Sequence, residues 1–402
     1  MTVKSHDPSE TKIKVLFPYV GGDDFGGSHI SSLKLIELLN NTGQFNAIVG
    51  LHRPTGRFPD YLAENNIEFE HLPFPNLIEP REKRNKSALK GGFDYLIKTA
   101  PKMMSYISDN KIDIVHTNDG RMHLNWVVPT KLSKAEFVWH HRGSPAARAT
   151  NLLAPLFADQ IITVSKFSKP SKPIKSINEK WNVVHSPFDI YESIDRVDAK
   201  NNLLAELGLP SHTFILGYFG ELIERKRPVV FAEIISEYSK AYPSSKIVGI
   251  VAGAVPTGAR KLDEEMLAKA RELGVEHLIM PLGFRSPIEP IMAATDILLV
   301  PAFNEPFGRT LIEAMHLGTA VVATDHGGNP EAIQNEKTGF LVSVETPANF
   351  VEPIHTLLTD KDMFAKITKN AQAYVRQNLT LETHLNGVMT SYKRLVRTSE
   401  KL

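Results

Sequence analysis

Short apolar runs alternate along the chain with longer stretches of helical period, the pattern of parallel α/β layers. Lys12-Ile-Lys-Val-Leu-Phe-Pro18 predicts a first strand, and Tyr19 to Gly27 predicts a loop. A helix follows over Ser28–Asn40, with Ile30, Leu33 and Leu38 on its apolar face. Further strands are predicted at 47–51, 113–116, 135–139 and 160–164, and 182–189 reads as a short strand leaving this first region.

A polar helical stretch, Val197 to Leu207, ends at Gly208 and Pro210 and reads as a linker. A second strand series then begins at 214–219, 246–252, 278–280, 297–300 and 320–323. Two doubly wound sheets in tandem are the simplest architecture, with a ligand expected at the carboxyl ends of the strands. The stretch from Asp360 to Leu402 is helical in pattern, with Phe364, Ile367, Ala371, Tyr374 and Val375 spaced for burial.

Composition narrows the chemistry. A chain of 402 residues with 42% hydrophobic content fits two globular domains. The formal charge of +1 gives no reason to expect a nucleic-acid partner. The absence of cysteine excludes disulfides and thiolate chemistry and suits a reducing compartment. Residues 1–12 are polar and do not read as a secretory signal, and no apolar run reaches the ~18 residues of a membrane span. The expectation is a cytoplasmic protein. Residues 81–90 form a basic run beside an amphipathic stretch, 93–107. The plain reading is a solvated loop and a core helix; the sharper one is a surface, 81–107, that meets anionic lipid at the inner face of the membrane or an anionic acceptor.

The densest chemistry lies in Glu305-Pro-Phe-Gly-Arg-Thr-Leu-Ile-Glu313. A strand ends at Val300, a loop carries Glu305, and Gly308 opens a helix with Leu311, Ile312 and Met315 on its apolar face. Glycine at a helix start lets unpaired N–H groups approach an anion closely, and Arg309 adds a guanidinium suited to phosphate. Glu305 and Glu313, as pure acceptors, fit hydroxyl recognition beside such a site. Read alone, they are equally a loop acid and a helix-start acid.

This string, with Asp325-His-Gly-Gly-Asn-Pro-Glu331 and Gly339-Phe-Leu-Val342, resembles the signature of the retaining glycosyltransferase family numbered four. The resemblance is dense over 296–343 and looser across the rest. It implies the GT-B fold: a Rossmann-like acceptor domain over 1–190, a Rossmann-like nucleotide-sugar domain over 191–380, and a last helix, 381–402, crossing back to the first domain across a central cleft. By the same resemblance Glu305 binds donor-sugar hydroxyls and Glu313 the ribose hydroxyls. Phe307, Gly308, Arg309 and Thr310 border the diphosphate.

Other positions follow from the same likeness. The loop Gly21-Gly-Asp-Asp-Phe-Gly-Gly-Ser28 implies phosphate contact at Gly26 and Gly27, although glycines also serve turns. In Gly220-Glu-Leu-Ile-Glu-Arg-Lys226-Arg, Lys226 matches the family's lysine, which neutralises the leaving diphosphate. The family's arginine position holds Glu221, with Arg225 or Arg227 as candidate replacements. Gly283 and Phe284 occupy the nucleobase position, where backbone contacts are expected. His140 or His141 fills the place of a histidine near the donor sugar, with His141 slightly preferred and Arg142 a third candidate; neighbours on a strand face opposite ways.

The resemblance implies transfer of a sugar from a nucleotide-diphosphate donor (UDP- or GDP-sugar) to a hydroxyl acceptor with retention, in glycan, glycolipid or glycoconjugate synthesis. No cofactor and no metal is required; the one Asp-x-Asp, at Asp360, reads as a helix cap. The rival readings are a catalytically weak scaffold subunit, which Glu221 favours, and an epimerase or phosphorylase on the same fold.

Overall fold

The computed structural model describes residues 12–79, 88–187 and 194–399; most of the basic run lies outside the described residues. The chain divides into two compact units, Met1–Ser186 with Leu381–Leu402, and Pro187–Thr380.

The first unit is built on seven parallel strands: β1 (Ile13–Gly21), β2 (Phe45–Arg53), β3 (Glu70–His71), β4 (Ile114–Thr117), β5 (Glu136–His141), β6 (Gln160–Thr163) and β7 (Trp181–Val183). Their order is β3-β2-β1-β4-β5-β6-β7, so the winding reverses between β1 and β4. Strands covered on both faces must be apolar throughout, and the two faces of β1 feed separate cores. Val15, Phe17 and Tyr19 pack with Leu35, Leu39 and, from the last helix (Leu381–Ser399), Val388 and Tyr392. Leu16 packs on the other side with Val115, Trp126 and Trp139.

The stretch expected to be one amphipathic helix at 93–107 is broken by a π-helical turn at Tyr95–Thr99, just before Pro101. A proline lacks the N–H that the regular ladder needs, and a wider turn absorbs the mismatch. Tyr95, Met103 and Ile107 are buried, whereas Phe93, Leu96 and Ile97 are exposed.

The second unit has six parallel strands, β8 (Phe214–Phe219), β9 (Ile247–Ala252), β10 (Ile279–Gly283), β11 (Ile297–Val300), β12 (Ala320–Thr324) and β13 (Phe340–Val342). The order is β10-β9-β8-β11-β12-β13, reversing between β8 and β11. Its core joins Leu216, Phe231, Ile234, Ile297 and Val322. The stretch read as a linker is instead the helix Arg196–Glu206 of this unit. Leu203 and Leu204 are buried, and Arg196 donates to Thr319 Oγ1 at 2.8 Å and to the Thr295 carbonyl at 2.9 Å. Lys200 adds an ion pair with Asp296 at 2.7 Å, so two leucines and two long cations anchor the helix, too few apolar positions to register as a core helix.

Candidate functional site

In the second unit Arg225, Lys226, Glu305 and Glu313 collect where the winding reverses, at the carboxyl ends of β8 and β11, where open α/β sheets place ligands. Gly283 and Phe284 lie instead at the end of the edge strand β10. After β8 the chain passes Gly220 at φ +118°, and a Cβ there would collide with the Lys226 ammonium. Glycine is therefore what lets Lys226 lie back across the strand end. The half-buried Lys226 ammonium makes no hydrogen bond or ion pair among the described residues. Burial lowers its pKa, Glu305 raises it, Arg225 lowers it further, and Glu221 and Glu313 oppose that. It is a cation held among carboxylates without being bonded to one.

Arg225 forms an ion pair with Glu305, whose side chain is nearly buried. Arg227 instead braces backbone, donating to the carbonyl oxygens of Val344 at 3.1 Å and Pro301 at 3.4 Å. Of the two candidate replacements for an arginine at 221, only Arg225 brings its guanidinium to a site carboxylate. The Glu221 side chain is exposed. Arg225, Arg227, Glu224, Phe303, Asn304 and Val344 line a cavity of about 540 Å³ beside this pair.

The Glu305 loop is held from beneath by residues the motif alone did not explain. Gly328 donates its N–H to the Glu305 carbonyl at 2.8 Å. Gly327 has φ +68°, and a Cβ there would lie 2.5 Å from Glu305 O. Phe303 stacks on His326 at 4.1 Å, and His326 Nδ1 accepts the Asn304 N–H at 3.1 Å. The Asp325-His-Gly-Gly segment is thus a seat for the loop.

Gly308 caps the helix Arg309–His316, and a Cβ on it would press on Leu311 at 2.9 Å. Phe307 is buried, and Thr310 lies at the helix start. Arg309 pairs with Glu313 one turn on, at 3.0 Å, so this carboxylate is oriented before any ligand arrives. Gly283 ends β10 at φ +66°, and Phe284 beside it is 73% exposed. Asp360 accepts the Met363 N–H at 2.9 Å, a helix cap.

In the first unit Gly26 takes φ −171°, which any residue adopts, and a Cβ on it would meet nothing within 4 Å. The fold itself does not require glycine there. The Gly26 N–H is donated to His29 Nδ1 at 3.1 Å, and Gly27 begins the helix Gly27–Asn41. His140 and His141 are both buried. His141 is tied to its own loop, Nε2 to Ser144 O at 2.9 Å and Nδ1 to Thr150 Oγ1 at 3.2 Å. His140 Nδ1 faces His116 Nε2 at 3.1 Å, and its Nε2 has no partner among the described residues. Arg142 donates to Asn118 Oδ1 at 3.3 Å and Ser186 Oγ at 3.1 Å.

Sequence reasoning missed Asn118 and Asp119, although both directly follow β4 at the winding reversal. Asp119 caps the helix Gly120–Lys131; burial, with Asp24 adding, pushes its carboxyl up to about 6. Among the described residues no helix is long and apolar enough to cross a membrane.

Residues 199–374 match the family model described as glycosyl transferases group 1. The D-inositol 3-phosphate glycosyltransferase of Corynebacterium glutamicum is 34% identical over 173 residues, 42% of this chain and 41% of that protein. The chain thus spans about two fifths of the length of the curated relatives it matches. The Anabaena HepE protein in complex with UDP and glucose superposes with a TM-score of 0.77 at 24% identity, covering 95% of this chain and 99% of that one. The same protein with UDP-glucose gives 0.74 at 22% identity, over 97% and 100% of the two chains. The fold is that of the GT-B glycosyltransferases, with two Rossmann-like α/β units.

Proposed function

We propose that this protein is a retaining glycosyltransferase that moves a sugar from a nucleotide-diphosphate donor, a UDP-sugar first among the candidates, to a hydroxyl acceptor. The observation that carries the reading is the Lys226 ammonium, half-buried, without a bonded partner among the described residues, and in the field of Glu305 and Glu313. A cation together with the positive end of the helix that begins after Gly308 forms a receptor for the charge that grows on a departing diphosphate. The match of this unit to group 1 glycosyl transferases and the UDP-glucose held by the Anabaena protein support the choice of donor.

Glu313 takes the ribose hydroxyls and Glu305 the sugar hydroxyls. Gly283 and Phe284 border the base. In the first unit Gly26 and Gly27 border the diphosphate, since an open Cβ position leaves close approach as the reason for glycine at Gly26. In the transfer step the C1–O bond to phosphate breaks and the acceptor oxygen bonds C1 on the same face. The acceptor's proton passes to the departing phosphate oxygen. Arg225 supplies the guanidinium that Glu221 does not, which weighs against a catalytically weak scaffold. We further propose that the exposed Phe93, Leu96 and Ile97 rest on an anionic membrane surface, so binding to anionic liposomes should fall with salt; absence of binding at low salt would remove this.

Glu305→Gln tests the division of labour. Turnover of UDP-glucose should fall at least tenfold while UDP affinity changes little, because the lost contact is to the sugar. Equal losses in both would overturn the assignment.

A further inference from the structure

Four residues of the first unit, Tyr392 from the last helix, His116 from β4, His140 from β5 and Arg142 just after it, form a hydrogen-bonded line whose direction is readable. Tyr392 O–H lies 2.6 Å from His116 Nδ1, and His116 Nε2 lies 3.1 Å from His140 Nδ1. Arg142 Nη2 also approaches His140 Nδ1, at 3.5 Å. A guanidinium can only donate, so His140 Nδ1 must carry the lone pair. His116 Nε2 then donates to it, His116 Nδ1 is bare, and Tyr392 donates to that. The one proton of neutral His140 is left on Nε2, which is fully buried and has no partner among the described residues. Burial drives both rings well below the usual histidine pKa, and the Arg142 charge lowers them further, so both are neutral.

His384, on the same last helix, has the opposite polarity. Its Nδ1 donates to the His185 carbonyl at 2.7 Å, which leaves Nε2 a bare acceptor, also without a partner among the described residues. Its ring stacks on that of His140 with centroids 6.2 Å apart and planes 26° from parallel. An unpaired buried donor costs about 1–3 kcal/mol, so a donor and an acceptor left open on two stacked rings mark a place where a ligand group completes the set. A hydroxyl does both, accepting from one ring and donating to the other; a phosphate oxygen would face the His384 lone pair.

We propose that Tyr392 and His116 are positioning residues that hold His140 as an Nε2–H donor, which with His384 Nε2 receives a substrate hydroxyl. The use made of His140 rests on the transferase reading; the line of hydrogen bonds does not. Of the two adjacent histidines it singles out His140, since both ring nitrogens of His141 are engaged locally.

The test is a long-range 1H–15N correlation on full-length protein labelled at histidine, with His116→Gln and His140→Gln assigning the signals. Wild type should show His116 and His140 protonated at Nε2 and His384 at Nδ1. Tyr392→Phe removes the donor to His116 and should lower the Nε2–H fraction of both His116 and His140. It should also cut kcat for UDP-glucose about tenfold with KM little changed, the loss of roughly one hydrogen bond. His140 protonated at Nδ1 in wild type, or tautomers unmoved by Tyr392→Phe, would overturn the relay. Moved tautomers with unchanged kcat would overturn the hydroxyl contact. If wild type does not turn over UDP-glucose, the donor reading has failed, and the wild-type spectrum still decides the relay.

Discussion

The seat beneath Glu305 gives a prediction whose size follows from geometry. Gly327 sits at φ +68°, and an added Cβ would lie 2.5 Å from Glu305 O and 2.9 Å from Glu305 N. Gly274, in the same unit, has φ +74° but nothing within 4 Å of a Cβ. Gly274→Ala therefore isolates the left-handed backbone term, about 1–2 kcal/mol. Gly327→Ala carries that term plus an overlap with backbone that cannot rotate away, another ~1–3 kcal/mol. At about 2–4 °C per kcal/mol, the second variant should melt several degrees below the first. The displaced loop carries Glu305 with it, and a misplacement of about 1 Å can reduce turnover about a hundredfold. Thermal unfolding of both variants, with UDP-glucose turnover, reads both effects. Equal melting temperatures, or normal turnover in Gly327→Ala, would refute the idea that the glycine pair seats the loop.

Other outcomes follow from the charges. Arg225→Met leaves nearly buried Glu305 without its cation; because the Arg225 side chain is 39% exposed, we expect a loss of ~1–2 kcal/mol, below that of a fully buried pair, read as a melting point lower by a few degrees. An unchanged melting point would mean that the pair contributes nothing. Burial, with nearby arginine charge adding, lowers His384 to about 3 and His52 to about 4, against 6.5 when unfolded. The unfolded chain then binds more protons below pH 6.5, so the stability these rings contribute is intact above that pH and is lost as it falls toward 4. Asp119, raised to about 6, acts in the opposite sense and is outnumbered, since His116, His123 and His140 are depressed as well. Melting temperature should be flat from pH 7 to 8 and drop steeply from 6.5 to 4; a flat profile down to 4.5 would contradict it.

Much of the fold was legible because doubly covered strands leave unbroken apolar runs, as at 214–219, 247–252 and 297–300. The stretch 197–207 was legible as helical, but its docking into the second unit was not, because it rests on two leucines and on Arg196 and Lys200, whose partners Thr319 and Asp296 lie far along the chain. In the site, the segment from Glu305 to Glu313 was visible as local spacing. The partner of Glu305 was not: Arg225 lies 80 positions away and had an equal rival in Arg227. The line from Tyr392 to His116 spans 276 positions and joins residues that, in sequence, are an ordinary tyrosine and an ordinary strand histidine. Periodicity reports which face is buried, not which polar groups meet across it.

The central claim is a nucleotide-diphosphate site in the second unit built on Lys226, the helix start at Gly308, and Glu313. Its most direct test is thermal unfolding with UDP, GDP, ADP and dTDP, on wild type and Glu313→Ala. At a hundred times its dissociation constant a ligand stabilises by ~2.7 kcal/mol, which is readily seen. The account predicts that one nucleotide, UDP first among them, raises the melting temperature of wild type and loses that effect in Glu313→Ala. No stabilisation by any of the four at millimolar concentration, or an effect that survives Glu313→Ala intact, would contradict it.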